Sequence, residues 1–482
     1  MSPDTTSTQR WTFLAIISVG LFLIGADNSV LYTALPTLEA DLGTSALEAL
    51  WVINAYPLVL CGLLLGTGTL GDRIGHRLMF LLGVTIFGLA SLGAALAPSA
   101  WALILARATL GVGAAMMLPS TLALISITFD DEQERNTAIG IWGSMGAVGA
   151  ATGPLLGGLL LNHFWWGSVF LINVPVAVAV WLATVIIAPA NAPNPERHWD
   201  ALSSFYAMLA MMGAVMLIKE AAAGREPWLL GASAACMILG GWLFQRRQRR
   251  LPSPLLTFDI FINRLFSGGV LAAGGAMFCV SGMEYMTTQR FQLIGGYTPL
   301  ESGLLVALVS LACIPASILG GIYLARLGFR TLIAGGFALL AVGLVVAAVA
   351  FSRGQLLAFA VGLLLVGVGA GSVMSVSSTA IIGSAPLRRA GMASSVESVS
   401  YEFGTLVAVA IVGSAMPALY RLFAPAGRPE LLAADPASAA AYDSGYFCIV
   451  GIVAAMAALC ALVTAWCFRG NPRRALVPEG VH

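Results

Sequence analysis

One lysine, Lys219, serves all 482 residues, and Asp, Glu, Lys and Arg together make up only 10% of them. Soluble domains carry roughly 25%, so water is not the main solvent of this chain. A formal net charge of +1 leaves no electrostatic footprint for a nucleic acid. Histidine is equally sparse: His76, His163, His198 and His482 show no metal-ligand spacing. The seven cysteines (Cys61, Cys236, Cys279, Cys313, Cys448, Cys460, Cys467) all fall in apolar runs, where they read as small apolar filler rather than disulfide or metal partners. A phosphate-binding loop ending in Gly-Lys-Ser/Thr is missing, so no nucleotide powers the protein and an ion gradient is the remaining energy source. A membrane enzyme or receptor would want clustered His, Asp or Cys at depth, or a sizeable soluble domain, and neither is present.

What the chain does have is hydrocarbon. Apolar residues make up 59% of it, with 54 glycines among them to let helices pack closely. Runs of about 20 residues, the length that spans a bilayer as helix, recur along the chain. They predict spans at about 12–35, 49–70, 79–98, 101–127, 137–161, 168–188, 203–221, 228–245, 268–293, 302–325, 331–351, 355–382, 392–420 and 446–468. The fold class is therefore all-α and membrane-embedded, with fourteen transmembrane helices. The first run is too long, and too polar at Asp27, for a cleaved signal peptide. Alternate loops hold 17 of the 24 basic residues, among them Arg73, Arg77, Arg246, Arg247, Arg388 and Arg389, which puts both termini in the cytoplasm. That requires an even number of helices. The linker at about 246–267 carries RRQRRLPSP, which forbids continuous helix. An Ala- and Pro-rich outer loop at about 421–445 reads as irregular. The segment 321–330 repeats the register of 68–77, with Ala325 where Asp72 stands. The division expected is 1–190 and 251–482 as six-helix halves, with two additional helices in 191–250 and a site between the halves near mid-membrane.

The segment GTLGDRIGHRL (68–78) offers Gly68 and Gly75 for close approach and a tight turn, Asp72 to cap a helix, and Arg73 and Arg77 to bridge to neighbours. It resembles the signature loop of the major facilitator superfamily, with His76 where the family usually has Arg or Lys. LILARATLGVGAA (103–115) resembles the fourth-helix motif of proton-driven members, with Arg107 at its buried Arg and Leu110 in place of a frequent Gln. GAATGPLLGG (149–158) resembles the fifth-helix antiporter motif. Physically, Gly153 and Pro154 kink the helix while Gly149, Gly157 and Gly158 admit a partner helix. DNSVLYTALP (27–36) is similar to the first-helix motif of the fourteen-helix drug:proton antiporter branch, with Tyr32 replacing an Asn, and FLINVP (170–175) and VESVSYEFG (396–404) agree. Nearly the whole chain is covered, and it resembles the methyl viologen resistance type of multidrug exporter and its quaternary-ammonium relatives.

Ionisable groups at helix depth are costly, so each is a functional candidate. There are five: Asp27, Arg107, Glu284, Glu397 and Glu402. At about 1.5 Å per residue, Asp27 lies roughly 23 Å above the cytoplasmic end of its span and Arg107 roughly 9 Å below the outer end of its own, so a pair is feasible. It is either a static structural ion pair or a device in which Arg107 keeps Asp27 ionisable for proton and cation to compete over. Glu397 and Glu402 stand five residues apart, about 140° round a helix, and cannot both face one cavity squarely. Trp51, Tyr56, Trp142 and Tyr401 are either cation–π faces or packing.

These residues lead to an expected proton-coupled antiporter that exports lipophilic organic cations (quaternary ammonium biocides, viologens, dyes) across a bacterial inner membrane. Asp27, Arg107 and Glu402 are the proton-coupling candidates. Asp27, Glu284, Glu397, Glu402, Tyr56, Trp142 and Tyr401 are the substrate-binding candidates. Partners are the cations, protons and membrane lipids, with a monomer expected and neither cofactor, metal nor enzymatic activity. The alternative is proton-coupled export of a peptide, amino acid or siderophore, since fold does not fix substrate.

Overall fold

Hydrocarbon offers no hydrogen bonds, so each spanning segment must satisfy its backbone internally, and these segments do so as helix. The computed structural model describes residues 7–129, 131–194, 199–223, 227–251, 254–385, 390–424 and 435–469, and no strand occurs among them. In chain order the helices are α1 (Ser7–Leu42), α2 (Ala46–Ile74), α3 (His76–Ala95), α4 (Ala100–Thr128), α5 (Glu132–His163), the short α6 (Ser168–Leu171) running into α7 (Asn173–Ile187), α8 (Ala201–Ala223), α9 (Pro227–Gln248), α10 (Arg264–Leu293), α11 (Pro299–Ser352), α12 (Leu356–Gly383), α13 (Ala390–Phe423) and α14 (Pro436–Cys467). Thirteen segments among the described residues are long and apolar enough to cross a bilayer, α11 supplying two of them. The remaining expected span, 137–161, is the 32-residue α5, which completes fourteen.

Polar residues set the helix starts. Ser45 and Glu48 form a reciprocal capping box at α2, Ser45 accepting from the Glu48 N–H and Glu48 from the Ser45 N–H. Thr298 and Glu301 repeat it at α11. Asp131 caps α5, which begins five residues before the hydropathy signal. Asp435, with Pro436 in the first turn, starts α14 ten residues early. The expected irregular outer loop is therefore shorter than its composition predicts: capping and alanine propensity extend helix beyond the apolar run. Residues 425–434, and the basic positions Arg388 and Arg389, lie outside the described residues, as do His198 and His482.

The internal repeat has a backbone counterpart. Gly75 separates α2 from α3 at φ +95°, and Gly328 breaks α11 at φ +77°. The two glycines occupy matching positions of the repeated segments, and left-handed φ is the conformation that only glycine adopts cheaply. Glycine is thus required twice, once per copy.

The helices group into two compact units. The first contains Met1–Leu217, Pro227–Leu255 and Tyr297–Leu304; the second contains Ile218–Glu226, Leu256–Gly296 and Leu305–His482. In the first, α8 packs on α2, with Met208 against Gly62 and Ser204 against Gly66. Just before α8 Asp200 accepts from Arg247 Nε at the end of α9 (2.9 Å) and from Ser203. Burial pushes the Asp200 carboxyl up, but the bonds from Arg247 and Ser203 outweigh it and hold the group below its ordinary range. A carboxylate depressed on folding stabilises above its unfolded pKa, about 3.9, and loses that contribution as pH falls through the lower folded value. Hydrogen exchange at the start of α8 is expected to accelerate as pH drops below about 4, with Asp200→Asn exchanging fast at every pH.

Candidate functional site

The first unit builds its site on α1. This helix packs along α5, and the seam is glycine-lined: a Cβ at Gly149 would stand 2.4 Å from Phe22 O, and one at Gly153 would stand 2.0 Å from Ser29 Oγ and 2.8 Å from Ala26 O. The partner that this motif admits is therefore α1 itself, at the level of Asp27. Gly157 meets Val30 on the same seam, whereas Gly158 faces Leu300 at the start of α11.

Asp27 is 1% exposed and Arg107 fully buried. They form the ion pair whose feasibility the span depths indicate, Arg107 Nη1 donating to Asp27 Oδ2. Arg107 is fixed from three further directions. Its Nε donates to Val52 O (3.2 Å), and its guanidinium carbon lies 4.7 Å from the Tyr56 ring centroid and 5.9 Å from that of Phe170. A guanidinium over ring faces keeps favourable electrostatics without water. Tyr56 is fully buried beneath it, so its contact is with Arg107. Arg107 Nη2 has no acceptor among the described residues.

The other carboxylate oxygen has a partner that sequence reasoning missed. Asn173 Nδ2 donates to Asp27 Oδ1 at 2.9 Å and lies 3.4 Å from Ser91 Oγ. Asn173 sits inside the FLINVP segment, and its signal was available: a buried amide at the head of an apolar helix wants a polar partner. A cavity of about 60 Å³ adjoins Asp27 and Asn173, otherwise walled by apolar side chains and Gly153. Asn54, on α2 between Val52 and Tyr56, is fully buried with both amide atoms lacking a hydrogen-bond partner among the described residues. Trp142 is eleven residues before Gly153 on α5, roughly 16 Å along the axis, and does not join this cluster.

The signature loop is clamped within the same unit. Asn191, beyond α7, donates from Nδ2 to Ile74 O (2.7 Å) and accepts at Oδ1 from Leu78 N–H (3.2 Å), covering Gly75 so closely that a Cβ there would stand 2.1 Å away. Arg77 donates to Val185 O (2.8 Å), and Asn194 N–H to Asp72 O (3.0 Å). Asp72 does not cap α3, whose N-cap is Gly75 with no side-chain bond; it lies in the last turn of α2 and pairs with His76 Nε2 at 3.0 Å. Arg73 is exposed, and a Cβ at Gly68 would meet Pro119 at 3.7 Å, an ordinary contact.

The second unit holds the remaining acids. Glu284 on α10 is 6% exposed and takes a hydrogen bond from Ser310. One turn earlier on α10, Ser281 and Thr405 hydroxyls meet at 3.1 Å. Glu397 accepts from Tyr401 Oη (3.3 Å), which also donates to Met374 O (3.1 Å). Glu402, next to Tyr401 on α13, is half-buried. Arg290, in the last turn of α10, pairs with Asp443 of α14 and lies 5.0 Å from the Phe351 ring. No group of three or more His, Cys, Asp or Glu among the described residues is placed to hold a metal.

The sequence model of the Major Facilitator Superfamily matches residues 17–407. The methyl viologen resistance protein SmvA of Salmonella typhimurium is 37% identical over 84% of this chain and 82% of its own. The multidrug efflux pump LfrA of Mycolicibacterium smegmatis is 36% identical over 87% of this chain and 83% of its own. Among solved structures, a bacterial homologue of the human lysosomal transporter Spinster superposes with a TM-score of 0.69 at 16% identity, covering 96% of this chain and 98% of the other, a likeness of fold.

Proposed function

The chain belongs to the major facilitator superfamily, a family of multi-pass membrane transporters, and on that premise we propose that it is a proton-coupled antiporter exporting lipophilic organic cations across the bacterial inner membrane. The observation that carries this reading is the Asp27 carboxylate, buried deep in α1 and held between Arg107 and Asn173 beside an apolar cavity. The relatives' names, methyl viologen resistance and multidrug efflux, give it the substrate class.

Ionised, Asp27 satisfies Arg107 and presents a partial negative charge to a cation. Protonated, it releases both. One carboxylate exposed to the two sides in turn therefore exchanges cation for proton without the two ever touching, which is a coupling by competition. Tyr56 acts through Arg107 by keeping the guanidinium in place. The proton gradient supplies the energy, and both termini lie in the cytoplasm. The test is substrate-induced proton movement in liposomes holding the purified chain. Ethidium and methyl viologen are expected to drive protons the other way. No proton movement, or equal movement with organic anions of similar size, refutes the reading.

The chain's other buried acids bear on charge number. A dication needs a second carboxylate, and Asn54 supplies none. An uncompensated buried charge costs several kcal/mol. Glu284→Gln and Glu402→Gln are expected to lose methyl viologen export by tenfold or more, equivalent to about 1.4 kcal/mol, while ethidium export falls less. Equal loss for both would assign the acid to proton coupling or structure.

A further inference from the structure

The cavity beside Asp27 has a position that cation export by itself does not explain. Helices α5 and α7 both pack on α1, and the cavity is the groove left between them, walled by all three. Its outer wall is Leu156 and Leu160 of α5 with Ile172, just before α7, and Val176 of α7, each partly exposed. Beside them Leu159 and Val178 are more than half exposed, at 51% and 53%. These residues stand in the last turns of α5 and the first turns of α7, near one end of both spans, and apolar side chains exposed there face the outlying part of the hydrocarbon, so the groove opens sideways into the bilayer near that end. Its floor is polar: Asp27 and Asn173 line it, and Arg107 does not. A guest arriving from the lipid therefore meets the carboxylate before the guanidinium that balances it. Asp27 Oδ1 accepts a single hydrogen bond there, from Asn173, and a carboxylate oxygen has lone-pair capacity for more. The free space, about 60 Å³, is several times the roughly 10–15 Å³ that one water needs on the same measure. It admits an N-methyl group and the first methylenes of a chain, and it is too small for a fused aromatic ring system.

The geometry points to a membrane-side binding site for one alkyl chain bearing an ammonium group. The ammonium end lies at the Asp27–Asn173 floor, and the chain runs out between Leu160 and Val176 into the lipid. This rests on the reading of the chain as a cation exporter and gives single-chain alkyl ammonium ions a route to Asp27 that planar dyes lack. Neutral chains, including those of phospholipids, match the walls but not the floor.

The test is photolabelling of the full-length protein in nanodiscs with a dodecyltrimethylammonium probe carrying a diazirine near its head, followed by peptide mapping. Label is expected in 156–160 and 172–176. Unlabelled dodecyltrimethylammonium should compete at least tenfold better than dodecanol or tetramethylammonium. Asp27→Asn should erase the preference over dodecanol. Leu160→Trp, which fills the groove and leaves every charge in place, should remove label from 172–176. Label confined to other helices, equal competition by dodecanol, or undiminished label in Leu160→Trp would each overturn the proposal. Liposome export measured on the same wild-type preparation separates the two claims. Export without groove labelling sinks the groove alone, and groove labelling without export sinks the exporter reading.

Discussion

Asn in place of Asp27 is expected to reduce uphill export to background. The isosteric amide can still accept from Arg107 and meet Asn173, but it cannot take up and release a proton. The fold also feels the change. Breaking a buried ion pair by removing one partner costs about 3–5 kcal/mol, here reduced because Val52 O and the Tyr56 ring still hold the guanidinium. A second substitution separates the effects. Asp27→Asn/Arg107→Gln removes the stranded charge, so thermal stability in detergent should recover towards wild type while proton exchange stays absent. A double variant that regained both stability and export would make the pair a static brace and sink its role in coupling.

The α1–α5 seam predicts the second large effect. At Gly149 the atoms in the way are backbone, Phe22 O at 2.4 Å and Ala26 N at 3.0 Å, so Gly149→Leu must push the two helices apart. Overpacking usually costs about 1–3 kcal/mol, and with no side chain to yield this case belongs at or above the top of that range. Because Asp27 follows Ala26 directly, the separation also displaces the carboxylate. Turnover is expected to fall far more than apparent substrate affinity, measured as the rate and half-saturation of proton-coupled uptake in inverted vesicles. Gly153→Ala should be milder, since its nearest obstacle is the Ser29 hydroxyl at 2.0 Å, and Ser29→Gly should relieve it in part, Ala26 O remaining in the way at 2.8 Å. Full activity in Gly149→Leu would refute the seam.

Much of this was legible in the residues because hydrocarbon makes ionisable groups rare. With so few charges at depth, the depths of Asp27 and Arg107 alone single out the pair, and the repeated glycine register marks both turns. Partners chosen across helices were not legible. Nothing in the spacing of Tyr56 tells that it lies under Arg107, since helical periodicity fixes a face and not the neighbour that meets it. Asn191 falls in a polar linker where one Asn among several residues carries no pattern, yet it clamps the signature loop. Asp443 falls in the expected 421–445 loop because hydropathy reports where the apolar run ends rather than where helix ends. Asp435 and Pro436 start α14 before that point, so Asp443 lies within it and meets Arg290 of α10.

The wide sequence separation of the Asp27 cluster also has a temporal side. Arg107 follows Asp27 by 80 residues and Asn173 follows by 146. At a synthesis rate of roughly 5–20 residues per second, a newly made α1 waits on the order of 4–16 seconds for its cation and longer for its amide. During that wait it holds an acid with neither partner yet made. The helix must either linger at the insertion machinery or enter the lipid with the acid neutral.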